Sequence, residues 1–224
     1  MTSLFSRVLP CAVLGAAVAA FSTDRTAQAH PHVFVDGGVN FVLDDRGALT
    51  SLDVIWRYDP FETLYTLSSL EIAPEPDGSL VAGDRQRVSD HMSDWPDTFE
   101  GSTHLSIAGE KHILSRPRSM GVELVDGSLV LRFRRHLEKP FGMEGQTAEV
   151  AFYEATFFYK FSVTEAPEIY RTAGKACSAE VIPFDRDREL EALQLTLSAL
   201  GRDETPQDAN VGALFADRVV LRCD

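Results

Sequence analysis

Apolar and polar residues alternate along most of this chain. Val33, Val35, Val39 and Phe41 mark a first extended stretch that ends at Asp44-Asp45-Arg46-Gly47, and a second runs from Leu49 to Tyr58. A period of two with a turn between the runs predicts an antiparallel hairpin. From Phe61 to Leu70 the spacing turns helical, and Phe61, Leu64, Tyr65 and Leu67 predict one buried face. Pro74, Pro76 and Gly78 break the chain. Residues 84–100 predict one helix that stops before Trp95-Pro96, because the residue preceding a proline is pushed out of helical conformations.

Three further hairpins are predicted: Thr103 to Leu114 around Ala108-Gly109, Val122 to Phe133 around Asp126-Gly127, and the pair flanking Glu154-Ala155. The Asp-Gly pair is the strongest of these signals. A helix over residues 187–200 carries the stripe Leu190, Leu193, Leu197 and Leu200, expected to face the core. After the polar stretch Gly201 to Asn210 come a short helix and a last strand, Val219 to Cys223. Strands outnumber helices and do not alternate with them. The expected class is α+β, mainly antiparallel β sheets with a few peripheral helices.

The first 29 residues change this picture. Arg7 lies in a short polar start, an apolar run extends from Val8 to Phe21, and a polar stretch ends in Ala27-Gln28-Ala29. That order predicts a secretory signal peptide over residues 1–29. Ala19 and Ala20 offer alternative cleavage points, but a cut after Ala29 removes the whole polar tail and leaves His30 first. The apolar run is shorter than the roughly 20 residues that a spanning helix needs, so no stable membrane insertion is expected after cleavage. The remaining residues 30–224 predict a β-rich domain, divisible into parts of about 30–100 and 101–224, exported to the periplasm.

The full chain carries a formal charge of −13, with 44% hydrophobic residues. Loss of Arg7, Arg25 and Asp24 takes the charge to −14. Such an acidic chain is a poor partner for nucleic acid and a reasonable one for cations. Cys11 leaves with the leader. In an oxidising compartment Cys177 and Cys223 most simply form a disulfide, with a thiolate metal pair as the alternative.

The stretch "AHPHVFVD" at the leader boundary, "WRYDPF" at Trp56 to Phe61, "FYEATFFYKF" at Phe152 to Phe161 and the ending "LFADRVVLRC" resemble the domain-of-unknown-function 1007 family. That family is described as the periplasmic component of an ABC-type transport system and is found beside permeases of the nickel, cobalt and zinc type. The resemblance implies a transition-metal role and an inner-membrane metal permease as partner. The family's middle block reads Tyr-Asp-Pro-Thr-Tyr. Here Tyr153-Glu154-Ala155-Thr156-Phe157 puts glutamate for aspartate and alanine for proline.

The residues themselves suggest matching chemistry. As first residue, His30 offers a free amine and an imidazole that close a six-membered chelate. In an extended segment, His32 points to the same side. Pro31 favours that extension and has no N–H to lose, which excludes the amide-ligated terminal copper and nickel motif. Amine plus two imidazoles suit a divalent transition metal ion: nickel, cobalt, zinc or copper. Asp36, Asp59, Glu62 and Glu154 are candidate carboxylates, the metal set being His30, His32, Asp36, Asp59 and Glu154. Asp59 before Pro60 also fits a helix N-cap. His91, His104, His112 and His136 show no ligand spacing, and Phe157-Phe158-Tyr159 read as mostly core.

There is no Gly-x-Ser-x-Gly, His-Glu-x-x-His or phosphate-cradling glycine loop. Three readings follow, in order. The first is an exported metal-binding accessory of a permease, not an enzyme. The second is a copper-dependent oxidative enzyme, since the terminal brace is similar to that of oxidative polysaccharide-cleaving enzymes. The third is a metal-free interaction module of the envelope.

Overall fold

The first hairpin forms as its alternation requires. β1 (Val33–Leu43) pairs antiparallel with β2 (Ala48–Tyr58). Val33, Val35, Val39, Phe41 and Leu43 point inward from β1, and Leu52, Val54, Trp56 and Tyr58 from β2. Asp44 Oδ1 closes the turn by accepting from the N–H groups of Arg46 and Ala48, each at 2.9 Å. At Gly37 the strands run so close that a Cβ would stand 1.9 Å from the Ile55 carbonyl oxygen, so only glycine fits.

This computed structural model describes residues 31–96, 99–170, 176–185 and 210–224. The predicted leader, His30 and the leucine stripe at 187–200 lie outside the described residues. After β2 come α1 (Pro60–Ser69) and α2 (Ala82–Ser93), the latter ending short of Trp95-Pro96 as expected. The next hairpin is β3 (Thr103–Ile107) with β4 (Glu110–His112), and the next β5 (Arg118–Val125) with the long β6 (Ser128–Gly142). Both turn on two residues of positive φ, Ala108-Gly109 and Asp126-Gly127. That is the backbone a two-residue hairpin demands. The remaining strands are β7 (Thr147–Phe152), β8 (Tyr159–Val163), β9 (Ile169–Tyr170), β10 (Cys177–Ile182) and β11 (Arg218–Cys223), with a 3₁₀ turn over Val211–Phe215 before the last.

These strands make two sheets. One runs β5-β6-β2-β1-β8, with β9 also on β1; the other runs β10-β11-β7-β3-β4. Their inner faces share one apolar core, from Val35, Phe41 and Leu131 to Val150 and Leu221. The class is therefore α+β and mainly β. Strand β2 pairs with β6, so the stretches 30–100 and 101–224 contribute to one sheet. Among the described residues, no helix is long and apolar enough to cross a membrane.

Two expectations are corrected. The strands flanking Glu154-Ala155 are not a hairpin: β7 lies in one sheet, while β8 crosses to the other and runs parallel to β1. Helix α1 is also turned about its axis. Phe61, Leu64 and Tyr65 are 74%, 63% and 66% exposed, and the buried residues are Thr63, Thr66 and Leu67. That second stripe has helical spacing too. It wins because the Thr63 hydroxyl accepts from the Leu129 N–H of β6 at 2.9 Å and because Asp59 fixes the helix start against β1.

Candidate functional site

His32 is exposed and stands immediately before β1. Its N–H donates to the Phe158 carbonyl at 2.9 Å, which also accepts from the Val33 N–H at 3.2 Å. The imidazole tilts against the Phe158 ring, centroids 4.9 Å apart. The segment that leads into β1 is thus seated on the loop between β7 and β8.

Glu154 shapes that loop. Its Oε1 accepts from the Thr156 N–H at 2.9 Å, and its Oε2 from the Thr156 hydroxyl at 2.6 Å and the Phe158 N–H at 3.0 Å. On the opposite edge of β1, Asp59 is the N-cap of α1, accepting the Glu62 N–H on Oδ1 at 2.9 Å. Its Oδ2 accepts from the Phe34 N–H at 2.8 Å, while its own N–H donates to the Phe34 carbonyl at 3.0 Å. Both carboxylates therefore hold backbone on either side of the His32–Phe34 segment.

Asp36 shares the exposed face of β1, beside Arg57 of β2 and Ser162 of β8. Four residues of strand place it about 13 Å from His32, with exposed Phe34 between. That spacing is too long for one ion. Among the described residues, no three His, Cys, Asp or Glu side chains converge as a group that could hold a metal ion. A nitrogen site at this end needs His30.

At this end two strand cations, Arg57 beside Asp36 and Lys160 beside Phe34, stand among acids that burial crowds. Burial raises the Glu62 carboxyl above its ordinary range, and Asp59 raises it further. Burial likewise raises the Tyr159 phenol, with Glu62, Glu154 and Tyr65 adding to the shift. Tyr58, fully enclosed, is raised by burial and then by Tyr159 and Glu62. Each shift marks a place that resists more negative charge. Glu62, Tyr58 and Tyr159 act together here, and only Glu62 was singled out by sequence. The aromatic run is not mostly core: Phe158 is 38% exposed, and Phe157, at φ 61°, stacks on Phe215 instead. That positive φ breaks the alternation on which a core reading depends.

The other expected pair is formed. Cys177 and Cys223 face each other across β10 and β11, Cα atoms 4.1 Å apart, and are disulfide-bonded. Of the scattered histidines, His104 stacks on Tyr153 at 3.8 Å and its Nε2 bonds the Tyr153 carbonyl at 3.1 Å. Burial pulls His104 below the ordinary histidine range, against the opposite pull of that bond and of Glu100. The unfolded chain then takes up this proton at a higher pH than the folded one. The contribution is complete above about pH 6.5 and is lost as pH falls through the lower folded value. The wild-type urea midpoint should therefore drop on acidification below pH 6.5, and less so in His104→Gln. Identical slopes for the two proteins would assign the acid sensitivity elsewhere.

A family model described as "Protein of unknown function (DUF1007)" matches residues 13–223. A Haemophilus influenzae protein described as uncharacterized is 21% identical over 199 residues, which cover 88% of this chain and 92% of that protein.

Proposed function

The chain belongs to the DUF1007 family, and on that premise we propose that it is an exported transition-metal-binding accessory of an inner-membrane permease, holding a divalent ion in the periplasm at the start of β1. The reading places nickel, cobalt, zinc or copper on the amine and imidazole of His30 and the imidazole of His32. Glu62, Asp59 and Glu154 supply the negative surroundings.

The observation that carries this reading is that Asp59 and Glu154 hold the backbone on either side of the His32–Phe34 segment, with Glu62 beside Asp59. Glu62 is raised by burial and by Asp59, and Tyr159 by burial and by Glu62 and Glu154. A divalent cation beside them relieves that crowding, and competes with protons for the same place. The permease partner is supported by exposed Phe61, Leu64 and Tyr65, on a helix that Asp59 ties to Phe34. An outward apolar helix face beside a charged seat is the surface of a protein that docks.

The test separates the amine from the imidazoles. One alanine added before His30 keeps every side chain but turns the ligand amine into an amide. Nickel or copper affinity, measured by calorimetric titration with the N-terminus confirmed by mass spectrometry, should fall ten-fold or more. His32→Ala should weaken binding separately, and affinity of the processed form should decline on acidification, because protons compete with the metal for nitrogen ligands. Equal affinity in processed and extended proteins would remove the amine from the site.

One observation favours a second reading. Exposed Phe34, Phe61, Tyr65 and Phe158 lie around this end, and an oxygen-activating copper site needs an open position with an exposed substrate surface beside it, commonly flat and aromatic. Peroxide production by copper-loaded protein with ascorbate, above that of free copper, would select it.

A further inference from the structure

A cavity of about 290 Å³ opens where the chain leaves β4 and crosses to β5. Its lining is unlike the rest of an acidic protein: Arg135, Arg116 and Lys111, with Glu100 as the one carboxylate among the described residues. Trp95 and Phe99 form an aromatic wall, their rings edge to face at 5.1 Å.

Arg135 is only 3% exposed. Its Nε donates to the Ser115 carbonyl at 2.8 Å, Nη1 to Thr103 at 3.1 Å and Nη2 to Leu114 at 3.3 Å, with the guanidinium carbon 5.2 Å from the Trp95 ring centre. A guanidinium has five N–H donors, so these bonds use three. Glu100 is engaged with Lys111 at 2.5 Å, and every hydrogen bond given above for Arg135 goes to a neutral carbonyl. Burial pushes this guanidinium down to about 10, and the nearby Glu100 carboxylate offsets that only in part; a buried charge so placed is costly.

Two residues of the same lining carry polar atoms without a partner. The Thr103 hydroxyl, on a side chain that is itself 3% exposed, and the His112 Nε2 are shut off from solvent and have no hydrogen-bond partner. Buried polar atoms are nearly always partnered. A structural role for Arg135 explains its three carbonyl bonds, but not these two atoms or the cations gathered around them.

We propose that this cavity is a second ligand site, one that takes a small organic carboxylate with a flat or apolar body. The carboxylate meets Arg135 and engages the Thr103 hydroxyl and the His112 ring, while the body lies against Trp95 and Phe99. A bare phosphate would use the cations and leave the aromatic wall idle. The volume is at the small end of ligand pockets, which suits a single-ring acid.

The experiment titrates the purified whole protein with benzoate, phenylacetate and indole-3-acetate, with the corresponding neutral amides, and with inorganic phosphate, by calorimetry. At least one carboxylate should bind ten-fold or more tightly than its amide. Thr103→Val, which keeps the shape and removes the hydroxyl, and His112→Phe should each weaken that binding at least three-fold without lowering the urea midpoint. Amides that bind as well as the acids, no binding by any acid, binding by phosphate alone, or variants that bind like wild type would each overturn the proposal.

Discussion

Replacing Arg135 by methionine is expected to lower stability by about 3–5 kcal/mol. The side chain projects from β6 into the interior and donates to the carbonyls of Thr103 in the facing sheet and of Leu114 and Ser115 on the crossing segment. Exchanging a buried ion pair for apolar residues is often harmless, because both charged partners leave together. Here the partners are backbone carbonyls that no mutation removes, and each one left without a donor costs about 1–3 kcal/mol. Packing also suffers, since the guanidinium lies over Trp95, which in turn stacks on Trp56 with centroids 6.2 Å apart. Arg135→Lys keeps the charge but loses the planar fork, and should fall between wild type and methionine. Urea unfolding at neutral pH measures both variants. A loss below about 1 kcal/mol for methionine would mean that water replaces the guanidinium and that the bolt between the sheets is dispensable.

The second large effect concerns Cys177 and Cys223. The bond closes a span of 46 residues, which the chain-entropy model converts to about 4 kcal/mol. For a chain of this size that corresponds to a midpoint lower by about 8–16 °C in the double serine variant. The loss should be local at first. β10 is an edge strand with only half-buried and exposed positions, held on one side by β11, so hydrogen exchange should rise along residues 177–182 before the core opens. Thiol titration of denatured, unreduced protein from residue 30 onward should find no free thiol. Two free thiols, or a double variant as stable as the parent, would refute the staple.

Much of the fold was legible because two-residue turns leave strong local marks. Asp126-Gly127 and Ala108-Gly109 sit between alternating runs and adopt the positive φ that their hairpins need. The loop at Glu154-Ala155 misled for the opposite reason. Alternating runs flank it, but pairing depends on which sheet each strand enters, and the parallel union of β8 with β1 is set far away in sequence. The phase of α1 was ambiguous because two stripes compete, and tertiary bonds at Thr63 and Asp59 decide between them. At the candidate site, Asp59 was readable as a cap from Asp-Pro at a strand end. The coupling of Glu62 to Tyr159 was not, because it arises only when β8 reaches β1. One signal was open to sequence and not read. In the inward series Leu131, Phe133, Arg135, Leu137 an arginine occupies a core position.

The parallel union of β1 with β8 and β9 fixes an order of assembly. Ribosomes deliver the chain from its N-terminus, so β1 and β2 can pair early while the other edge of β1 stays bare until residues 159–170 arrive. A bare strand edge is a template for pairing with another copy, so this chain passes through an interval in which it is exposed to mispairing with its neighbours. The Phe158 carbonyl that seats His32 arrives with the same late segment. Any product cut short before that point keeps an open strand edge and lacks the carbonyl that seats His32.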